Sequence, residues 1–145
     1  MADPIADLVH DHADLNRRVL DLGAIFDGRS TRAPADALQE LREQLFTHFA
    51  REEEGLFPFV TDAIPELADR CSALAGVHDA ICGVVARMSY LANANPDLAA
   101  LRPFYDRFET TYTEHAKAEA ELLRALEGRL DHEQRAALVA LVRDL

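Results

Sequence analysis

The pattern that decides the fold is clearest in residues 38–52, which read LQELREQLFTHFARE. Three leucines, one histidine and one glutamate follow one another there at alternating steps of three and four: Leu38, Leu41, Leu45, His48 and Glu52. This spacing places all of them on one face of an amphipathic helix. The segment therefore predicts a helix whose buried face ends in an imidazole and a carboxylate.

Three other segments carry the same spacing, at about residues 4–26, 65–92 and 97–127. Asp3-Pro4 is typical of a helix start, and glycine or asparagine follows the end of each segment. Pro58 should kink or break the second helix, and Pro103 marks the start of the fourth or a bend in it. Helical boundaries thus divide the chain into four long helices.

Short connections between four long helices predict an all-α, up-down-up-down four-helix bundle over residues 4–127. A short fifth helix over 131–145, capped by Asp131, is expected to be an appendage. The chain of 145 residues is one domain by length, and its core needs neither disulfides nor a structural metal. A metal bound here would therefore serve function.

The formal charge of −11 argues against a nucleic acid or an anionic membrane as the main partner, since both are bound through clustered Lys and Arg. Cys71 and Cys82 lie in one helix, about 16 Å apart and beyond disulfide reach. The sequence shows neither a signal-peptide pattern nor an uninterrupted apolar run of about 18 residues. We therefore expect a cytoplasmic protein without a membrane span.

Ionisable residues occupy positions on the apolar faces where leucine is expected. There are six of them: His12, His48, Glu52, His78, His115 and Glu119. A buried, unpaired carboxylate costs several kcal/mol or takes up a proton, so these positions need a compensating partner. A metal supplies one. The other two histidines, His10 and His132, are expected at the surface, as are the acidic residues Glu53 and Glu54.

Residue counting places the first two of these histidines at one depth in the bundle. His12 stands 14 residues before Phe26, near the end of the first helix, and His48 stands 14 residues after Pro34, at the start of the second. Both therefore lie about 21 Å from the same end of the bundle.

The other two helices agree with this level. His78 stands 13 residues after Pro65, which matches if the second helix continues, kinked, to about Ala63. His115 agrees within a turn if Pro103 disturbs the start of the fourth helix. The six groups are therefore expected to converge on one layer.

The donor chemistry favours two metal ions. Each His-x-x-x-Glu pair, His48–Glu52 and His115–Glu119, puts an imidazole and a carboxylate one turn apart on one face. A carboxylate can bridge ions about 3.5–4 Å apart, and four His with two Glu exceed a tetrahedral zinc site. Mixed ligation suits iron, although affinity order alone excludes neither zinc nor manganese. The Glu-x-x-His pairs of ferritin-like di-iron bundles are absent from the sequence.

These motifs resemble the hemerythrin-like HHE cation-binding domain over about residues 4–127. The resemblance rests on His12, on the run HFAREEEGLFP from His48 to Pro58, on His78-Asp, and on His115-Ala-Lys-Ala-Glu119. It implies a non-haem di-iron centre, Fe2+/Fe3+ with a bridging oxo or hydroxo group, in which the four histidines are terminal ligands and the two glutamates bridge. It also implies that the centre binds, senses or reacts with dioxygen, peroxide or nitric oxide.

Two departures argue against an oxygen carrier of the hemerythrin type. Cys82 stands where those carriers have a second histidine on the third helix, and Glu119 follows its histidine at four residues where they have aspartate at five. One iron is then left short of a histidine. Water, Cys82 or another nearby side chain would take that position, and a peroxide- or nitric-oxide-consuming activity is a hypothesis that rests on this change.

Several alternatives stay open at this point. Cys82 is a small core residue, a ligand or a redox-active thiol. Tyr112 is a core residue, or its hydroxyl donates to a metal-bound oxygen species. The protein as a whole is an iron-binding or iron-sensing protein without turnover, or a structural bundle whose buried polar residues pair only with one another. Neither a redox partner nor the oligomeric state follows from the sequence.

Overall fold

The periodic segments form helices, shown by a computed structural model that describes the backbone of residues 4–95 and 97–143 and the side chains of residues 6, 12–95 and 97–141. The α-helices are α1 (Pro4–Phe26), α2 (Pro34–Arg51), α3 (Phe57–Ala63), α4 (Ala68–Ala94), α5 (Leu98–Leu126) and α6 (His132–Arg143). A π-helical turn, Glu52–Leu56, joins α2 to α3, and a 3₁₀ turn, Pro65–Leu67, leads into α4. Within the described backbone no residue is in a β-strand, and the all-α prediction is confirmed.

Three of the predictions fall wholly or partly outside the described residues. They are the N-cap at Asp3, the surface position of the His10 side chain, and the last two residues of the C-terminal helix. The exposed position of His132 is confirmed.

The helix ends have the expected local chemistry. Gly28 and Gly128 follow α1 and α5 with φ angles of 74° and 77°, a left-handed conformation that glycine adopts without strain. Asp97 caps α5 by accepting a hydrogen bond of 3.0 Å from the Ala99 backbone N–H. Pro103 therefore lies inside α5 and does not mark its start.

The irregularity predicted at Pro58 takes the form of a π-helical turn just before it, and the helical segment continues to Ala63 as the depth matching requires. Proline lacks a backbone donor, and in an α-helix its ring would collide with the carbonyl four residues earlier, that of Glu54. In the wider turn the Phe57 N–H bonds to the Glu52 carbonyl, five residues back. A local irregularity thus begins at one of the predicted site residues.

The long helices form a ring. α1 contacts α2 and α5, and α4 contacts the same two helices, so α2 and α5 stand at opposite corners. α6 packs against the π-helical turn and α1, and its Leu138 is fully buried. The predicted appendage therefore completes part of the core.

Apolar side chains fill the bundle as two clusters, one on each side of the polar layer. The first includes Leu15, Leu45, Ile81 and Phe108, and the second includes Leu56, Leu74, Leu122 and Leu138. Along α4, for example, His78 lies between Leu74 of one cluster and Ile81 of the other. The six predicted site residues thus lie between two apolar cores.

One stretch, Pro65–Ala94, is long and apolar enough to cross a membrane, with a mean hydropathy of 1.2 and 33% of the window buried. In the bundle its α4 part contacts α2 and α5 and carries the buried His78. Core helices of this kind pass the same test of length and composition. This single helix is therefore weak evidence for a membrane span.

Candidate metal centre

The structure brings all six predicted site residues into one buried layer. Each of them is at most 9% exposed, from Glu52 at 1% to His12 at 9%. α1 and α4 each contribute one histidine, the α5 helix contributes His115 and Glu119, and α2 with the π-helical turn contributes His48 and Glu52. The convergence expected from residue counting is present, whereas metal ligation by these residues stays a prediction.

One half of the layer is built around the Oε2 atoms of the two glutamates. His48 Nε2 lies 3.4 Å from Glu52 Oε2 and 3.5 Å from Glu119 Oε2. His12 Nε2 contacts Glu119 Oε2 directly and lies 3.9 Å from Glu52 Oε2. We call these two histidines with the two Oε2 atoms the Oε2 set.

The other half is built around the Oε1 atoms. His78 Nε2 lies 3.2 Å from Glu52 Oε1 and 3.4 Å from Glu119 Oε1. His115 Nε2 lies 2.5 Å from Glu119 Oε1. These two histidines with the two Oε1 atoms form the Oε1 set.

Each carboxylate therefore gives one oxygen to each set. The same residues form two groups of potential metal-ligating atoms, and the atoms of each group lie within 4.8 Å of one another. Both groups contain two imidazoles and the two glutamates, Glu52 and Glu119. The two groups of candidate metal-ligating atoms therefore overlap at both glutamates, each of which contributes a different oxygen to each set.

The charges of the layer are strongly coupled. Burial opposes the charged form of Glu119, but contacts with His115, His12, His48 and His78 outweigh it and lower the pKa of Glu119 well below its usual range. Burial alone would lower the pKa of His78, but Glu119 and Glu52 raise it to about 9. Without a cation, a proton on His78 thus offsets part of the carboxylate charge.

Hydrogen bonding within the buried layer is incomplete. This incompleteness indicates whether the layer suits a metal ion. Among the described residues, Glu52 Oε1 lies 3.2 Å from His78 Nε2 and His115 Nε2 lies 2.5 Å from Glu119 Oε1, but neither contact has hydrogen-bond geometry. Such contacts offset only part of the cost of burial, which is about 1–3 kcal/mol for an atom with no partner at all. Their imidazole and carboxylate donors are the ligand types that iron, zinc and manganese accept. The layer therefore fits a cation better than it fits a self-paired polar core.

Two aromatic rings that sequence reasoning missed hold His78 in place. Phe49 stacks on the His78 ring at 3.7 Å between centroids and 9° between planes, and Phe57 lies 5.9 Å from it at 26°. Phe49 also meets His115 edge-on at 5.7 Å. Both phenylalanines occur in the run from His48 to Pro58. Phe49 lies four residues after Leu45 and three before Glu52, so it borders the buried face, whereas Phe57 departs from the step pattern.

Tyr112 is buried, and its hydroxyl donates to Asn16 Oδ1 at 2.8 Å. Burial first, and then the charges of Glu119 and Glu52, raise the pKa of the Tyr112 phenol. The ring thus lies close to the carboxylates and the hydroxyl has a protein partner. A role for Tyr112 in the chemistry of the site stays a prediction.

Cys82 is half-buried and belongs to neither group of candidate metal-ligating atoms among the described residues. It lines a cavity of about 250 Å³ together with Phe46, Glu53, His78 and Asp79. Burial, and then Asp79 and Glu53, raise the pKa of the Cys82 thiol to about 11. The cysteine is therefore a protonated thiol at neutral pH in the absence of a metal.

Glu53 departs from the expectation of a purely solvated acidic side chain. Its side chain is 46% exposed, yet its Oε2 lies 3.6 Å from Nδ1 of His78. Its neighbour Glu54 is exposed as expected.

A second cavity, of about 350 Å³, lies between α4 and α5 and reaches His115. Leu74, Val77 and Ala118 contribute its apolar walls.

Comparison with protein families matches residues 3–144 to the model of the hemerythrin HHE cation-binding domain. No match was found among curated proteins or among solved structures. The match spans nearly the whole chain and includes α6, which the sequence motifs alone did not cover. A metal-binding function follows from this match together with the His/Glu layer, and the chain belongs to the hemerythrin HHE cation-binding family.

Proposed function

We propose that this chain binds two iron ions in its buried layer and uses them to bind, sense or react with dioxygen, peroxide or nitric oxide. The observation that supports two ions is the division of the carboxylate oxygens. Glu52 and Glu119 each place Oε1 beside one pair of histidines and Oε2 beside the other pair. A single ion would occupy one of these sets and leave the other without a metal.

Each proposed position has four protein donors, two imidazole Nε2 atoms and two carboxylate oxygens. His12 and His48 would hold one ion, His78 and His115 the other, and both glutamates would bridge. Iron, when bound, supplies reversible electron transfer and coordination positions beyond these four. Four donors also suit zinc, so iron is proposed from the family and not from the donor count.

The protein's own contribution is to exclude water and larger molecules. Leu15, Leu45, Ile81 and Phe108 are each at most 1% exposed and belong to the apolar cluster beside the layer. The cavity between α4 and α5 reaches His115 through apolar walls. We propose this cavity as the route by which a diatomic molecule or peroxide approaches the layer.

Metal analysis and visible spectroscopy test the proposal. The purified chain, supplied with Fe2+ without oxygen, should contain about two irons, and the oxidised protein should gain a visible absorption band that changes with peroxide or nitric oxide. One zinc per chain, or no stoichiometric metal, would contradict it.

Variants test the division into two sets. Glu119→Ala removes an oxygen from both sets and should abolish binding of both irons, whereas His48→Ala damages the Oε2 set alone and should leave about one. His132→Ala is the matched control, because His132 is exposed, and it should keep two. Equal metal loss in His48→Ala and Glu119→Ala would contradict shared bridging.

Iron binding without turnover is the second candidate function, and the buried atoms Glu52 Oε1 and His115 Nε2, whose contacts with His78 and Glu119 lack hydrogen-bond geometry, favour it. Their cost in the metal-free state couples stability to iron, which is what an iron sensor requires. Failure of the iron-loaded protein to accelerate loss of peroxide or nitric oxide, with a large stability change on iron binding, would select this candidate.

A further inference from the structure

Two consecutive glutamates meet the two ring nitrogens of one histidine. Glu52 Oε1 lies 3.2 Å from His78 Nε2, and Glu53 Oε2 lies 3.6 Å from His78 Nδ1. The imidazole between them is only 2% exposed. Only the first of these glutamates belongs to the candidate metal centre.

We infer that Glu53 is a positioning residue, which accepts the Nδ1 proton of His78 in a hydrogen bond and thereby presents the Nε2 lone pair of His78 to the metal. This inference rests on the proposed metal centre. An imidazole that binds a metal through Nε2 carries its proton on Nδ1, and a buried N–H needs an acceptor. His78 Nδ1 has no hydrogen bond among the described residues, and Glu53 is the carboxylate within ion-pair distance of it.

A small rotation of the Glu53 side chain can shorten the separation between Glu53 Oε2 and His78 Nδ1 to hydrogen-bond length. A separation of 3.6 Å is slightly longer than a hydrogen bond. Glu53 is 46% exposed, so its side chain is free to rotate toward the ring. The His78 ring is constrained by Phe49, stacked at 3.7 Å, and by Phe57 at 5.9 Å. The His78 ring therefore fixes the direction of the hydrogen bond, and the Glu53 carboxylate rotates to meet it.

The helix is irregular where this arrangement occurs. Successive residues of an α-helix point about 100° apart, so neighbouring side chains do not usually reach one ring. The π-helical turn starts at Glu52 and includes Glu53. The edge of His78 lies between the two carboxylates, with one nitrogen toward each. Single π-helical turns of this kind are frequent at functional sites.

Nearby acidic residues do not share this geometry, which provides a control. Glu54 and Asp79 line the same cavity as Glu53, but among the described side chains neither lies within 4 Å of His78 Nδ1. Glu54 is exposed, carries the same charge and is the next residue in the chain. A substitution at Glu54 therefore reproduces the loss of surface charge without the loss of the contact.

The test compares Glu53→Ala and Glu53→Gln with Glu54→Ala in the full chain. Fe2+ affinity is measured without oxygen by competition with a chromophoric chelator. We expect Glu53→Ala to bind Fe2+ about 10–100-fold more weakly. Glu53→Gln keeps an acceptor oxygen and should fall in between, and Glu54→Ala should stay within about twofold of the unsubstituted chain. Melting of the metal-free proteins checks that all fold alike; should Glu53→Ala fail to fold, Glu53→Gln carries the test.

A second readout isolates the hydrogen bond itself. In the Zn2+-loaded protein, which is diamagnetic, the Nδ1 proton of His78 should be protected from exchange in the unsubstituted chain and in Glu54→Ala, and should exchange rapidly in Glu53→Ala. Unchanged Fe2+ affinity and unchanged proton protection in Glu53→Ala would overturn the inference and leave the metal centre intact. Failure of the unsubstituted chain to bind either metal would overturn both.

Discussion

Adding Fe2+ to the metal-free protein should raise its melting temperature substantially. The buried layer contains atoms, Glu52 Oε1 and His115 Nε2 among them, that make no hydrogen bond within the described residues. It also contains two carboxylates that are at most 2% exposed. A cation bound between these groups stabilises the folded chain and has no equivalent site in the unfolded one.

The size of the effect follows from the unsatisfied atoms. An atom buried without any partner costs about 1–3 kcal/mol; because these two keep contacts at 3.2 and 2.5 Å, satisfying both returns up to about 6 kcal/mol. An independent calculation by mass action gives about 5 kcal/mol for two sites at a free metal concentration of 100 times Kd, which agrees with this limit. For a chain of this size 1 kcal/mol shifts the melting temperature by about 2–4 °C, which gives a rise of up to about 25 °C.

Far-ultraviolet circular dichroism, recorded without oxygen during heating, measures this rise directly. Each variant is compared with its own metal-free form, so that the folding cost of the substitution cancels. His132→Ala should show the full rise, His48→Ala about half of it, and Glu119→Ala almost none. The ordering follows because His48 belongs to one set and Glu119 to both.

Two results would refute this reasoning. A rise of less than about 2 °C at saturating Fe2+ would show that the unsatisfied atoms cost far less than buried groups normally do. An equal rise in all three variants would show that Fe2+ binds the acidic surface, whose formal charge of −11 attracts cations without specificity.

Three further predictions follow from local geometry. Gly76→Ala and Gly83→Ala, with no atom within 4 Å of the new Cβ, should each stabilise the helix by about 1 kcal/mol in urea unfolding. Gly23→Ala should gain the same helix term but lose about 1–3 kcal/mol because its Cβ would lie 2.6 Å from Tyr105 Oη, which leaves a net destabilisation of about 0–2 kcal/mol; stabilisation equal to that of Gly76→Ala would contradict this close approach. Ala118→Trp, in the cavity of about 350 Å³, should slow nitric oxide binding to the iron-loaded protein at least about tenfold without changing its metal content. Ala100→Trp, at an exposed position, should leave the binding rate unchanged. Equal rates in the two variants would exclude the cavity as the route. In metal-free protein with Cys71→Ser, Cys82 has a pKa of about 11 and should react with iodoacetamide at pH 8 on the order of 100-fold more slowly than a free cysteine. The rate should increase as the pH rises, and rapid alkylation at pH 8 would reveal a thiolate.

The helices and their order could be predicted because the apolar period is regular over most of the chain. Gly28, Gly128 and Asp131 mark helix boundaries by conformational or capping preferences that hold in any context. Pro58 predicts an irregularity but not its kind, because a kink, a break and a π-helical turn all relieve the same collision. The segment that continues to Ala63, the π-helical turn with α3, packs against α4 and α6. The spacing of the sequence does not encode this packing.

The six residues of the layer could be predicted because depth along a helix follows from counting. The division of oxygens between the two sets could not, since it depends on side-chain torsions at Glu52 and Glu119. Glu53 and Phe57 were missed for a different reason. A step pattern of three and four assumes an α-helix, and the wider turn that begins at Glu52 changes the direction in which the following residues point. Off-pattern residues beside such a turn therefore deserve inspection as neighbours of a site.

The ring of helices explains why two His-x-x-x-Glu pairs can make a shared centre. α2 and α5, whose segments carry the pairs, contact α1 and α4 and stand at opposite corners, so Glu52 and Glu119 approach each other from opposite sides of the bundle. The remaining corners each add one histidine, His12 on one side and His78 on the other. If the two pairs lay on adjacent helices, both carboxylates would enter the core from one side. Their oxygens could then not contact the histidines of α1 and α4 equally. The topology, together with the one-turn spacing within each pair, thus supports the proposed pair of cation positions.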